Sequence, residues 1–89
     1  MILGRVQGQV VATIKHQAYA DRRLLLLDRI DPTGQPLGGY LVAVDTVSAA
    51  VGQTVLVIDE GNSARQVVGD PAAPIRSVII GIVDDIQVC

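Results

Sequence analysis

An alternation near the N-terminus limits what this chain can fold into more than any other feature. Across residues 2–15, Ile2, Gly4, Val6, Gly8, Val10, Ala12 and Ile14 share one parity, while Arg5, Gln7, Gln9, Thr13 and Lys15 share the other. Only Leu3 and Val11 break the pattern. A period of two belongs to a strand with one face on a core and the other toward water. Gly4 and Gly8 would weaken a flat strand, so they are expected to mark bends where it curls around a barrel.

The remaining segments read as further short strands separated by turn chemistry. Residues 16–22 are a polar connection anchored by Tyr19, and Arg23–Ile30 is an apolar run of strand length. Asp31-Pro32-Thr33-Gly34 follows, in which proline presets φ and glycine supplies a positive φ. Pro36, Gly38 and Gly39 are expected to prolong that loop. Residues 40–44 and 53–58 form the third and fourth strands, joined by the small-residue connection 45–52. Asn62 or Ser63 can cap one helical turn through Val68, ended by Gly69. Residues 70–74 hold two prolines and read as a loop. Residues 76–84 form a fifth strand with Gly81 as another bend, and 85–89 is a tail with some apolar character. With no helix long enough to cover a parallel sheet, the expected class is all-β: a small five-stranded Greek-key barrel of OB type with one short helical turn.

Size and composition decide how such a barrel is stabilised. The chain has 89 residues, enough for one domain spanning 1–89 and no second core. It is 49% hydrophobic, yet it has no Phe, no Trp and only two Tyr. The core must therefore be built from Val, Ile, Leu and Ala, without the large area that an aromatic buries. More apolar surface is present than one small core needs, and the excess points to subunit interfaces and a homo-oligomer. No segment approaches the roughly 20 apolar residues of a membrane-spanning helix, and no targeting signal is evident at the N-terminus. One cysteine, Cys89, excludes an internal disulfide framework and fits a reducing cytoplasm. A net charge of −2 lacks the electrostatic footprint of a nucleic-acid binder.

Candidate chemistry is sparse. Asp45-Thr46 after an apolar strand invites comparison with small dimeric aspartic proteases, in which two carboxylates share a proton. Those enzymes need Asp-Thr-Gly, whereas Val47 stands at the third position here, so Asp45 is read as hydrogen-bonding a tight turn. Asp84 and Asp85 have no metal-ligating loop or histidine nearby and read as solvated strand-end charges. His16 is the only histidine and supplies no His-based metal site within one chain. Cys89 is read as a frayed terminal thiol. Arg22, Arg23 and Arg29 form a modest basic patch whose expected role is solvation or an ion pair across an interface rather than phosphate binding. No nucleophile–base pair, metal cluster, cofactor motif or phosphate-binding glycine loop emerges. On residue chemistry alone the chain is a non-enzymatic, oligomerising β-domain. The alternative is an OB-type binding module for nucleic acid or a protein partner, which would need aromatic platforms and a basic groove.

Several segments together resemble the pentameric vertex proteins of bacterial microcompartment shells, the ethanolamine-utilisation EutN and carboxysome CcmL type. They are Leu3-Gly4-Arg5-Val6, Gly8-Gln9-Val10-Val11-Ala12-Thr13-Ile14-Lys15-His16, the leucines at 24–27, and Val42-Ala43-Val44-Asp45-Thr46-Val47. Gly52 with Val55-Leu56-Val57, Gly61-Asn62-Ser63-Ala64-Arg65 and Ile80-Gly81-Ile82-Val83-Asp84 complete the set. The resemblance covers nearly the whole chain and lies in the order and spacing of these pieces. It implies a barrel assembling as a homopentamer that caps the vertices of a polyhedral shell, itself tiled by hexameric shell proteins, within the cytoplasm. It further implies no catalysis, cofactor, membrane or nucleic-acid partner. The family usually carries Gly-Ala-Gly after Asp-Thr-Val, where this chain has Ser48-Ala49-Ala50. These three residues are expected to form a loop near the ring axis. Asn62, Ser63, Ala64 and Arg65, with Asn62 in place of the usual Ser, are expected at a subunit interface.

Overall fold

The computed structural model describes residues 1–11, 22–60, 67 and 76–86. Five strands run in chain order: β1 (Ile2–Val10), β2 (Arg23–Ile30), β3 (Pro36–Asp45), β4 (Thr54–Asp59) and β5 (Ser77–Val83). They close into a barrel in the order β1-β2-β3-β5-β4. Closure occurs because β1 pairs antiparallel with β2 along one edge and with β4 along the other. All pairings are antiparallel except a short parallel contact between β3 and β5, Val44 with Val78 and Asp45 with Ile79. This order is compatible with a Greek-key barrel of OB type. Val67 is helical, within the stretch where a single helical turn is expected.

The period-two pattern of β1 does what it predicts over Ile2–Val10: Gly4 and Val6 are buried, whereas Gln7 and Gln9 are exposed. Residues 12–15, its expected continuation, lie outside the described residues. Gly4 is not a bend. It pairs regularly with Arg29 and with Val55, and a Cβ there would stand 3.2 Å from the Leu27 Cβ. Its role is to let β1 press against the Leu27 side chain. The irregularity falls instead between Val6 and Gly8, where the register shifts. One further shift lies between Leu56 and Val57 of β4, opposite the Gly81 region of β5.

Strand β3 starts earlier than the sequence suggests. Pro36, Gly38 and Gly39, expected in a loop, belong to the strand. Pro36 is tolerated because it occupies the first strand position, pairing with Ile30. The two glycines are absorbed as an irregularity: pairing passes from Ile30–Pro36 to Asp28–Tyr40 across a register shift, with Gly38 at φ 79°.

The core is aliphatic throughout. Val6, Leu25, Leu27, Ala43, Ala49, Val55, Val57 and Ile79 form one buried cluster, with Ile2, Leu41, Val47 and Ile82 packed against it. Each wall contributes alternate residues, so Leu25 and Leu27 point inward while Leu24 and Leu26 stay half-buried outside. At about 25 cal/mol per Å² of apolar area, this lining is the main source of barrel stability.

Candidate functional site

The β3–β4 connection, residues 46–53, follows directly on Asp45 and crosses from β3 to β4. Its organiser is Asp45, the last residue of β3, whose side chain is 1% exposed. The carboxylate accepts the Val47 N–H at 3.1 Å and the Ala49 N–H at 3.2 Å from Oδ2. On β2, Arg23 is the register partner of Asp45. Its Nη1 lies 3.3 Å from Asp45 Oδ2, and its Nη2 donates to the Ala49 carbonyl at 3.3 Å. Both Asp45 oxygens are thus occupied by amide donors and a guanidinium. A carboxylate held by these donors braces the loop against β2.

The rest of the connection is tied down residue by residue. Thr46 Oγ1 donates to the Ile79 carbonyl at 2.6 Å, fastening the loop to β5. Ala50 N–H donates to Gln53 Oε1 at 2.7 Å, while Gln53 N–H returns to the Ala50 carbonyl at 3.1 Å. Gly52, third in that turn, has φ 91°, the conformation a type II turn requires. The Gly52 N–H donates to the Val6 carbonyl at 2.9 Å and the Val6 N–H to the Gln53 carbonyl at 3.0 Å. These bonds carry the loop across the mouth and seat it against β1. Ser48 has φ 58°, the left-handed region that favours glycine. Serine here therefore keeps the loop path at a conformational cost.

Ser48, Ala49 and Ala50 therefore do not act as a unit. Ser48 and Ala50 are exposed, whereas Ala49 is 1% exposed and belongs to the core. The left-handed turn at Ser48 redirects the chain so that the next side chain points into the barrel. Only Ser48 and Ala50 present side chains outward. The other expected contact residues, Asn62, Ser63, Ala64 and Arg65, lie outside the described residues, as do His16 and Cys89.

Of the basic patch, Arg23 is committed to Asp45. At the other end of the barrel, Asp59 Oδ1 accepts from Ser77 Oγ at 2.6 Å and from Arg76 Nε at 3.3 Å. The Ser77 bond and the nearby Arg76 and Arg29 charges hold the Asp59 carboxyl below its usual value. Nothing in the local sequence pairs Asp59 with residues 76 and 77; only the antiparallel β4–β5 register does. Asp84 and Asp85 line an open cavity of about 220 Å³ together with Arg5, Thr33 and Thr54. Among the described residues no three His, Cys, Asp or Glu side chains gather to hold a metal ion.

Comparison with known proteins places this geometry. The family model described as "Ethanolamine utilisation protein EutN/carboxysome" matches residues 1–84. The microcompartment shell vertex protein EutN of Escherichia coli K12 is 41% identical over 86 residues, covering 97% of this chain and 90% of that protein. The carboxysome shell vertex protein CcmL of Gloeobacter violaceus is 43% identical over 88 residues, covering 99% of this chain and 87% of the relative. Among solved structures, the pentameric microcompartment shell protein GrpN of Rhodospirillum rubrum superposes with a TM-score of 0.88 at 36% identity, covering 100% of both chains.

Proposed function

Because the chain belongs to the EutN and CcmL family, we propose that it is a structural shell protein whose homopentamers cap the five-fold vertices of a polyhedral bacterial microcompartment. The observation that carries this reading is end-to-end similarity to the pentameric GrpN structure. The geometry of closed shells agrees with it. A sheet tiled by six-fold units is flat, and it closes into a polyhedron only where five-fold units replace them. A small, rigid, aliphatic barrel suits that place, because its task is shape rather than turnover. The protein works in the shell, inside the bacterial cytoplasm, beside hexameric shell proteins. It catalyses nothing and needs neither cofactor nor nucleic acid, in keeping with an Asp45 carboxylate tied to its own loop and to Arg23 of β2.

Within the ring, Ser48 and Ala50 sit near the five-fold axis, where hydroxyl and methyl groups in place of glycine hydrogens narrow any central opening. Asn62, Ser63, Ala64 and Arg65 contact the adjacent subunit, with Arg65 making an ion pair or a carbonyl contact there. Native mass spectrometry tests the central claim: the purified protein should weigh five subunits, and a monomer or a dimer would refute the vertex reading. Co-expression with hexameric shell proteins should yield closed polyhedra by electron microscopy, and leaving this protein out should leave them open. The variant Arg65→Ala should weaken the ring; an unchanged pentamer removes Arg65 from the interface.

A further inference from the structure

The residues on either side of Arg5 face the core: Gly4 and Val6 are buried, so the Arg5 side chain points outward from β1. Its register partner on β4 is Thr54, and Thr54 in turn pairs with Val83 at the end of β5. Directly opposed residues share a face, so Arg5, Thr54 and Val83 form one row across three strands. Asp84 and Asp85 follow that row where β5 stops. Flanking Arg5 is the β2–β3 turn, whose Gly34 carbonyl accepts from Arg5 Nη1 at 3.4 Å. Row, strand end and turn frame the open cavity of about 220 Å³.

The walls of this cavity carry opposite charges that do not meet. Among the described residues the ion pairs are Arg23–Asp45 and Arg76–Asp59. None joins Arg5 to Asp84, to Asp85 or to Asp28, its register partner on β2. A guanidinium has five N–H donors. Here a single long bond, to Gly34, is all that engages Arg5 among the described residues. The half-buried Thr54 hydroxyl beside it makes no hydrogen bond among them either. Between the charges the lining is aliphatic, from Ile30, Val83 and Ile86.

We propose that this cavity binds a small zwitterion, an amine and a carboxylate joined by a short hydrocarbon. The ligand carboxylate sits on the Arg5 guanidinium and the Thr54 hydroxyl, a charge-assisted arrangement. Its ammonium lies at Asp84 and Asp85, and its hydrocarbon covers Ile30, Val83 and Ile86. A single pole fits worse. A simple anion at Arg5 also faces two aspartates, and a simple cation at the aspartates also faces the guanidinium. A zwitterion gains both attractions and leaves the net charge of the protein unchanged. The cavity is built within one copy, so binding does not depend on the vertex reading or on the number of subunits.

Titration of the full chain, followed by amide NMR shifts at constant ionic strength, tests the site. Glycine and 4-aminobutyrate are the zwitterionic probes, with poles close together and far apart; butyrate and butylamine carry one pole each. At least one zwitterion should shift the amides of Arg5, Thr54 and residues 84–86 saturably, with a dissociation constant on the order of 1 mM. Both single-pole probes should bind about tenfold more weakly, a loss of about one favourable contact. Asp84→Asn combined with Asp85→Asn should weaken the zwitterion about tenfold and leave butyrate no weaker. Arg5→Gln should weaken it by a similar factor and leave butylamine no weaker. No saturable shift from either zwitterion up to about 100 mM, equal affinity for butyrate or butylamine, or undiminished affinity in the double Asn variant would each overturn the site. Should Arg5→Gln fail to fold, the double variant decides alone, because Asp84 and Asp85 are exposed.

Discussion

Two connections in the barrel are built on the same device and differ in what stabilises them. In the β2–β3 hairpin, Asp31 Oδ1 accepts the Thr33 N–H at 2.9 Å and the Gln35 N–H at 3.0 Å, two and four residues on. In the β3–β4 connection, Asp45 accepts the Val47 and Ala49 N–H groups at the same two offsets. Each has a positive φ three residues after the aspartate, Gly34 at 89° and Ser48 at 58°. The hairpin is local in every part: Pro32 and Gly34 preset its angles, and Asp31 is half-buried, its carboxylate bonds open to solvent and all within its own turn among the bonds described. The mouth loop instead places a disfavoured residue at the left-handed position and offsets it by burial of Asp45, the Arg23 contact and Ala49 in the core. Identical hydrogen-bond logic can therefore be self-sufficient or dependent on the whole barrel.

The sharpest way to break this comparison is to remove each aspartate. Asp45→Ala should strand two loop N–H groups and deprive Arg23 of its partner, costing about 2–4 kcal/mol after allowing for the half-exposed arginine. Asp31→Ala should lower stability by clearly less, because water can replace its bonds. Urea unfolding at one fixed protein concentration compares them, and equal losses would erase the distinction. Next come the residues four beyond each aspartate. Ala49→Gln forces a polar, larger side chain into the core and should cost about 1–3 kcal/mol, while Gln35→Ala at the surface should stay within about 0.5 kcal/mol.

A smaller effect should follow from exchanging the left-handed residues. Gly34→Ser introduces strain, and its Cβ would meet Arg5 Nη2 at 3.2 Å, a flexible end that can move; a loss of about 1 kcal/mol is expected. Ser48→Gly should raise the melting temperature, gaining about 0.5 kcal/mol as relief of strain outweighs the added freedom of the unfolded chain. The smallest effect is acid sensitivity. The Thr33 and Gln35 bonds hold the Asp31 carboxyl below its ordinary 3.8, and Ser77 does the same for Asp59. A carboxyl depressed on folding adds stability that is complete well above pH 3.8 and is lost as pH falls from there through the folded value. Unfolding of Asp59→Asn and Asp31→Asn measured from pH 6 down to about pH 3 should therefore show shallower losses than the wild type.

How far the sequence could be read depended on the range of the interaction. Asp31-Pro32-Thr33-Gly34 was legible as a turn because each residue acts on its immediate neighbours. Asp45 was legible as a turn-former for the same reason. Its partner Arg23 was not, because the two meet only through the β2–β3 register. Gly38 and Gly39 misled in the other direction: their turn chemistry is real, but cross-strand pairing on both sides absorbs it into β3.

By itself the sequence determined the strand count, the exact span Arg23–Ile30, the aliphatic core and the Asx-type turns, since strand period and turn angles are set by residues adjacent in the chain. Tertiary structure alone decided which side each wall shows. Four consecutive leucines carry no parity, and only closure of β1 on both β2 and β4 puts Leu25 and Leu27 inside and leaves Leu24 and Leu26 out. It likewise split Ser48-Ala49-Ala50 between solvent and core, because a left-handed turn held by distant residues rotates the middle side chain inward.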